Sequence, residues 1–240
     1  KNIDITKIKR DFITNSSCGV CGKSSLDATG ANAQLGTIAI GRDALGGLTT
    51  GAGNIAIGYQ SLQQHTTGAR NIAIGYGSMN GTTGDADDAP ASIDNVFIGY
   101  DAGGGQWAVD EDSNYNVGIG NYVMDAVMDG AGYNTALGHQ ALGALTTGDG
   151  NTIIGNAAGD AITGGSDNTA AGRFALGAEV SGQRSVAIGN SALGSQVLGA
   201  AWSYNTAVGW GAGSTNVVGT KVAYFGYEAG HYSTGSYNTF

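Results

Sequence analysis

From about residue 35 onward, apolar and polar positions alternate in short bursts that recur. "NIAIG" closes at Gly58, and the same burst closes again at Gly75. Aligning each copy on its last glycine gives anchors at Gly41, Gly58, Gly75, Gly99, Gly120, Gly138, Gly155, Gly172, Gly189, Gly209 and Gly226. Six of the ten gaps are 17 residues, and the other four add one to seven. A fixed period of this size marks a solenoid, in which each repeat is one coil and the insertions are enlarged turns.

The columns of this alignment carry the chemistry. Four residues before the anchor stand Asn54, Asn71, Asn95, Asn116, Asn134, Asn151, Asn168 and Asn205, with Thr37 and Ser185 as substitutes. Like amides one strand apart can bond along a ladder, which rewards parallel, in-register stacking. The next column is β-branched, as at Ile55, Val96 and Thr152, and two residues on an aliphatic column follows, as at Ile57, Ile98 and Ile154. Alternation at period two predicts a strand. Between the two lies alanine, as at Ala56, Ala136 and Ala187. One strand face is therefore aliphatic and the other almost flat, and a flat face lets another backbone come close.

Four residues past the anchor a second apolar column, Leu45, Leu62, Met79, Met124, Leu142, Leu176 and Leu193, predicts a short strand or corner facing the first. The "TTG" ending at Gly51, Gly68, Gly84 and Gly148 then predicts the closing turn, with glycine supplying a positive φ. "KVAYFG" before Gly226 reads one residue out of phase, Ala171 fills the isoleucine column, and "YNTF" at residues 237–240 begins a further copy. At about 4.8 Å per coil, eleven coils make a rod about 50 Å long. Three or four inward apolar side chains per coil cannot offset about 1–2 kcal/mol of ordering entropy per residue, so stacking and association of several chains must supply the rest.

Composition sharpens this picture. With 44 glycines, one proline and 41% hydrophobic residues, the chain is neither collagen nor a disordered linker. Charged residues are 12% and the pI is about 4.5, which argues against nucleic-acid binding. No run of 18 apolar residues exists, so no membrane insertion is expected.

The pattern N-[TI]-A-I-G-Y-Q-[AS]-L-x-x-x-T-T-G resembles the repeats of phage and prophage tail-fibre proteins. "SVAIGNSAL", Ser185 to Leu193, is similar to the repeats in the heads of trimeric autotransporter adhesins. The resemblance covers roughly residues 35–240. It implies an all-β, left-handed parallel β-roll that assembles as a homotrimer, binds a cell-surface glycan or protein receptor, and sits on a virion tail or a cell surface.

Residues 1–28 share nothing with the repeat. They carry net charge +2 against −11 for the remainder, which places a domain boundary near Thr29, with the repeat domain running over 29–240. "SSCGVCGK" resembles the cysteine loop of formate dehydrogenase accessory sulfurtransferases, which implies sulfur-carrying or redox roles for Cys18 and Cys21. One C-x-x-C alone is half of a zinc site.

Two sets of candidate binding residues stand out. Neighbouring insertions place Asp85, Asp87, Asp88 and Asp94 beside Asp110, Glu111 and Asp112, where calcium is the natural cation; no other cofactor is expected. Trp107, Trp202 and Trp210, with Tyr115, Tyr133 and Tyr204 just before the asparagine column, are candidate platforms for sugar rings. His65, His139 and His231 occupy unrelated repeat positions and neither G-x-S-x-G nor H-E-x-x-H occurs, so no catalytic residue is assigned. The expectation is a structural and adhesive fibre segment. The alternatives are an extracellular filament subunit without a receptor site, and a sulfurtransferase-derived segment fused to a scaffold.

Overall fold

The computed structural model describes residues 37–82, 91–107, 111–198, 202–233 and 235–240. The segment before residue 37, with Cys18 and Cys21, lies outside them. Thirteen strands follow in chain order: β1 (Ile38–Ile40), β2 (Ile55–Ile57), β3 (Ile72–Ile74), β4 (Gly81–Thr82), β5 (Val96–Ile98), β6 (Gln106–Trp107), β7 (Val117–Ile119), β8 (Thr135–Leu137), β9 (Thr152–Ile154), β10 (Thr169–Ala171), β11 (Val186–Ile188), β12 (Thr206–Val208) and β13 (Ala223–Phe225). All except β4 and β6 form one eleven-stranded parallel sheet in sequence order, and β4 pairs with β6. The described residues contain no helix. The protein is a parallel β-solenoid of about ten turns.

Like sits over like throughout: Ile55 pairs Ile72, Ala56 pairs Ala73 and Ile57 pairs Ile74. The flat face is the inner one. Ala56, Ala73, Ala136, Ala170, Ala187 and Ala207 are buried against the opposite wall of the coil, while the aliphatic columns turn outward, with Ile38, Ile40, Ile119, Leu137, Ile154 and Ile188 still 39–46% exposed.

The anchor glycines explain how coils come this close. Each has φ between +128° and +145°. From Gly41 to Gly209, a Cβ would stand 2.0–2.5 Å from the carbonyl oxygen of the next anchor, whereas at Gly226 nothing lies within 4 Å. Any side chain there would push two coils apart.

The asparagine column is a buried ladder with two rails of bonds. Asn134 Oδ1 accepts from the backbone N–H of Asn151 at 2.9 Å and from its Nδ2 at 2.9 Å. Asn151 Nδ2 also donates to the Gly165 carbonyl at 2.8 Å, which ties the rung to the far turn. The same bonds bridge the insertions, as from Asn95 to Asn71 and from Asn116 to Asn95. Turn length therefore varies while register is held.

One expectation is narrowed and two need correction. The second apolar column is buried, but it forms a corner and not a strand: Leu45, Leu62, Met79, Leu142, Leu176 and Leu193 have φ of +48° to +52°. A left-handed residue bends the chain inward there, a conformation that bulky residues seldom adopt alone. In "TTG", Gly51 has positive φ and Gly68 and Gly148 do not. Their missing side chain serves close approach instead, since a Cβ on Gly148 would lie 2.2 Å from the Gly165 carbonyl oxygen. The repeat before Gly226 is in phase, because Ala207 pairs Tyr224 and Val208 pairs Phe225. Tyr224 is buried in the alanine column, and Gly213 and Gly230 leave room for its ring. Phe97 occupies that column in β5, with Gly103 and Gly118 opposite. Residues 237–240 do begin another coil, and Thr239 bridges Ala223.

Candidate ligand-binding surface

Outward side chains run along the solenoid in four tracks: the two aliphatic columns of the sheet, and one rail on either side. The asparagine-side rail holds the residue just before each asparagine, from Gly53 and Arg70 to Lys221 and Tyr237. All of these have φ between +50° and +80°, which turns the side chain out. The glycine-side rail holds the residue after each anchor, among them Tyr59, Tyr76, Tyr100, His139 and Trp210.

A spacing of one coil makes rail neighbours touch. On the glycine side, Tyr59, Tyr76 and Tyr100 lie ring to ring at 5.0 and 5.2 Å, with the Arg42 guanidinium 4.4 Å over Tyr59. Trp210 stacks on Tyr227 at 5.2 Å. On the asparagine side, Tyr115 stacks on Tyr133 at 5.0 Å and 18°. Further along, Arg184 bonds Asp167 Oδ2 at 3.3 Å and the Tyr204 hydroxyl at 3.2 Å, and lies 4.0 Å over the Trp202 ring. No protein-family model matches the chain, and no curated protein or solved structure matches it either.

The aromatic candidates therefore separate. Tyr115, Tyr133, Tyr204 and Trp202 are surface residues of one rail or its margin, and Trp202 is 54% exposed. Trp107 is not a platform. It is fully buried, its indole N–H donates to the Gly103 carbonyl at 2.8 Å, and its ring meets His65 and Phe97 edge-on at 5.2 and 5.7 Å. It is the core of the enlarged coils.

Of the acidic candidates, Asp85, Asp87, Asp88 and Asp110 lie outside the described residues, and Glu111 and Asp112 are exposed. Parallel pairing of β4 with β6 sets Gly81 beside Gln106 and Thr82 beside Trp107. Asp94 is not a spare ligand: Arg70 Nε and an Arg70 Nη donate to its two oxygens at 2.6 Å each, and that hydrogen bonding holds its carboxyl below the usual range. Among the described residues, no three His, Cys, Asp or Glu side chains gather as a metal site.

Two buried polar features escape the repeat reading. Seven residues past the anchor an inward column runs through Leu48, Leu145 and Ile162, yet holds His65, Glu179 and Gln196 as well. Glu179 Oε1 accepts from the N–H groups of Val180, Ser181 and Gly182, which fixes that turn. Gln196 Nε2 donates to Glu179 Oε2 at 2.7 Å and Ser185 Oγ at 3.2 Å, and Gln196 Oε1 accepts from Asn205 Nδ2 at 2.7 Å. Gln196 thus supplies the rung missing at Ser185. The signal in the sequence is the alternation of polar residues, buried Asn216 among them, with Leu and Ile in one column.

Proposed function

We propose that this chain is a segment of a trimeric, surface-binding fibre of the tail-fibre or adhesin-head type, wound left-handed, with a structural and adhesive role outside the cell or on a virion. The observation that carries this reading is the outer face of the sheet, which no other described residue covers. Two partly exposed columns about 7 Å apart run the length of eleven strands, roughly 50 Å; one is apolar throughout, and the other is Ile or Val in its first five coils and carries Thr135, Thr152, Thr169 and Thr206 further on. A strip of that length and about 12 Å wide approaches the 800 Å² per partner of a standard interface, and it matches the largest apolar patches that monomers expose. Association along this face would bury the Ile, Val and Leu columns and leave enlarged turns outward to meet a receptor. The first five coils, with Ile, Ile, Ile, Val and Val in the β-branched column, are the most apolar stretch, and Thr135, Thr152 and Thr169 follow.

Sedimentation equilibrium tests the assembly: the expected mass is three times 23.9 kDa. Ile72→Asp with Ile74→Asp should give monomers that keep the β spectrum, because both side chains point out of the fold. A parent chain that sediments as a folded monomer ends the proposal. Electron micrographs showing open-ended polymers in place of finite rods would favour a filament subunit. Surface binding is read by decoration of cells with labelled protein, before and after removal of surface glycans.

A further inference from the structure

On the asparagine-side rail, side chains from Arg70 to Tyr237 pair with a neighbour one coil away, and Gly150 interrupts the series. Below this gap, Tyr133 rests one face on Tyr115, and its opposite face looks toward the level of Gly150, which has no side chain to cover it. Tyr133 is accordingly 68% exposed, against 44% for Tyr115. Above the gap, the Asp167 carboxylate leans in: its Oδ1 lies 3.0 Å from where a Gly150 Cβ would stand. Its other oxygen is held by Arg184 Nε at 3.3 Å. One oxygen thus faces the gap and the other is anchored. Asp149 Oδ1 accepts from the Gly132 N–H at 2.7 Å beside it.

We infer that this one-coil notch binds a neutral hexopyranose unit of a surface glycan, with the C–H face of the sugar on Tyr133 and a sugar hydroxyl donating to Asp167 Oδ1. The inference rests on the surface-binding role proposed above and names the ligand class for it. Tyr133 and Asp167 are two coils apart, about 9.6 Å along the axis. A ring packed at about 3.5–4 Å on Tyr133 leaves its far hydroxyls within hydrogen-bond reach of a carboxylate that leans toward Gly150. A carboxylate only accepts, so the ligand must offer donors. Asp149 and Asp167, on a chain of net charge −9, repel phosphates and acidic sugars. Stacking on Tyr115 fixes Tyr133 before the ligand arrives, which lowers the entropy lost on binding. A single such notch is weak, and repetition on associated chains raises its effect through avidity.

Gly150→Tyr is the sharpest test. The same rail position holds tyrosine at Tyr115, Tyr133 and Tyr204 with φ of +60°, +61° and +50°, and Gly150 has φ +67°. The variant should fold, stack on Tyr133 and fill the notch. The probe is an array of neutral gluco-, galacto- and manno-tetrasaccharides with sialylated counterparts, read with the full chain. The parent should bind at least one neutral series. Gly150→Tyr and Tyr133→Ala should each weaken that binding tenfold or more with unchanged melting temperature, and Asp167→Asn should weaken it three- to tenfold. Parental binding by Gly150→Tyr and Tyr133→Ala overturns the notch while leaving surface binding intact. Cells decorated by a parent chain that binds no glycan also overturn it, and point to a protein receptor. No decoration of any cell overturns the surface-binding role itself.

Discussion

The coils between Gly138 and Gly189 keep strictly to 17 residues, whereas the two between Gly75 and Gly120 take 24 and 21. In the regular stretch the core repeats small and medium residues, with Ile153, Ala170 and Ala187 facing Leu142, Leu176 and Leu193. In the widened stretch Phe97 and Trp107 fill the interior, His65 of the preceding coil packs edge-on against Trp107, and β4 pairs with β6 in a two-stranded sheet of their own. Yet the anchor glycines cross both stretches unchanged, and the asparagine ladder crosses both with one break, at Ser185, which Gln196 fills. A solenoid coil thus has an invariant side, where strand, asparagine and glycine set the register, and a side that can be rebuilt if its core is rebuilt with it.

The largest effect should come from the invariant side and be the same in both stretches. Gly138→Val and Gly99→Val each place a Cβ 2.4 Å from a carbonyl oxygen at φ of +140° and +144°. Strain and overpacking together cost about 5 kcal/mol. Gly226→Val lacks the clash and should lose about half as much. Urea denaturation measures all three, and equal losses at Gly226 and Gly138 would falsify the role given to coil contact.

Next comes the ladder, where the comparison is with its natural break. Asn151→Ala leaves the Asn168 N–H and the Gly165 carbonyl without their partner and takes from Asn134 Oδ1 one of its two donors, the Asn151 backbone N–H remaining. Buried groups left unsatisfied cost about 1–3 kcal/mol each, and water admitted at the gap brings the sum to about 4 kcal/mol. Gln196→Ala should cost nearly as much, because Gln196 stands in for the rung that Ser185 lacks. A silent Gln196→Ala would show that Ser185 needs no substitute.

The invariant side was legible from residue identities. The period, the columns, the pairing of Asn54 with Asn71 and the identity of the strands follow from like residues recurring at one spacing. What stayed hidden depends on facts that recurrence does not encode. Alternation cannot say which face is inside, and the inward choice of alanine follows from how near the opposite wall lies. The left-handed corners carry Leu, Gln or Tyr in some coils and glycine in others, as at Leu142 and Gly159; that exchange with glycine was their only mark. Trp107 has no counterpart in other coils, so nothing in its column marks it as core, and from the sequence it reads as a surface platform.

The widened stretch should also differ in its response to acid. Burial lowers the His65 pKa from 6.5 to about 4, and neither ring nitrogen has a hydrogen-bond partner among the described residues. The unfolded state therefore takes up a proton that the folded state refuses. Stability is complete above pH 6.5, falls as pH drops from 6.5 to 4, and levels off below. A gap of that size corresponds to about 3 kcal/mol. Of the matching positions in the regular stretch, Leu145 and Ile162 carry no titratable group, and the third holds Glu179. Hydrogen exchange at pH 7 and pH 5 should show protection lost around residues 59–107 before residues 138–171, the coils of Leu145 and Ile162. His65→Leu should remove the difference, and a difference that persists in that variant would assign it to other groups.

The smallest effect belongs to the rails, and it separates surface order from fold stability. Arg70 and Asp94 meet through two short bonds across the widened coil, but both side chains lie at the surface. Exposed ion pairs gain little over their hydrated partners and are screened by salt. Arg70→Ala should therefore leave the melting temperature within error of the parent, in low or high salt, although it removes the best-formed ion pair among the described residues. A shift as large as that of Asn151→Ala would mean that the rails hold the coils in register. In that case Gly150, the gap in the rail, would be a weak point of the rod and not a place kept open for a ligand.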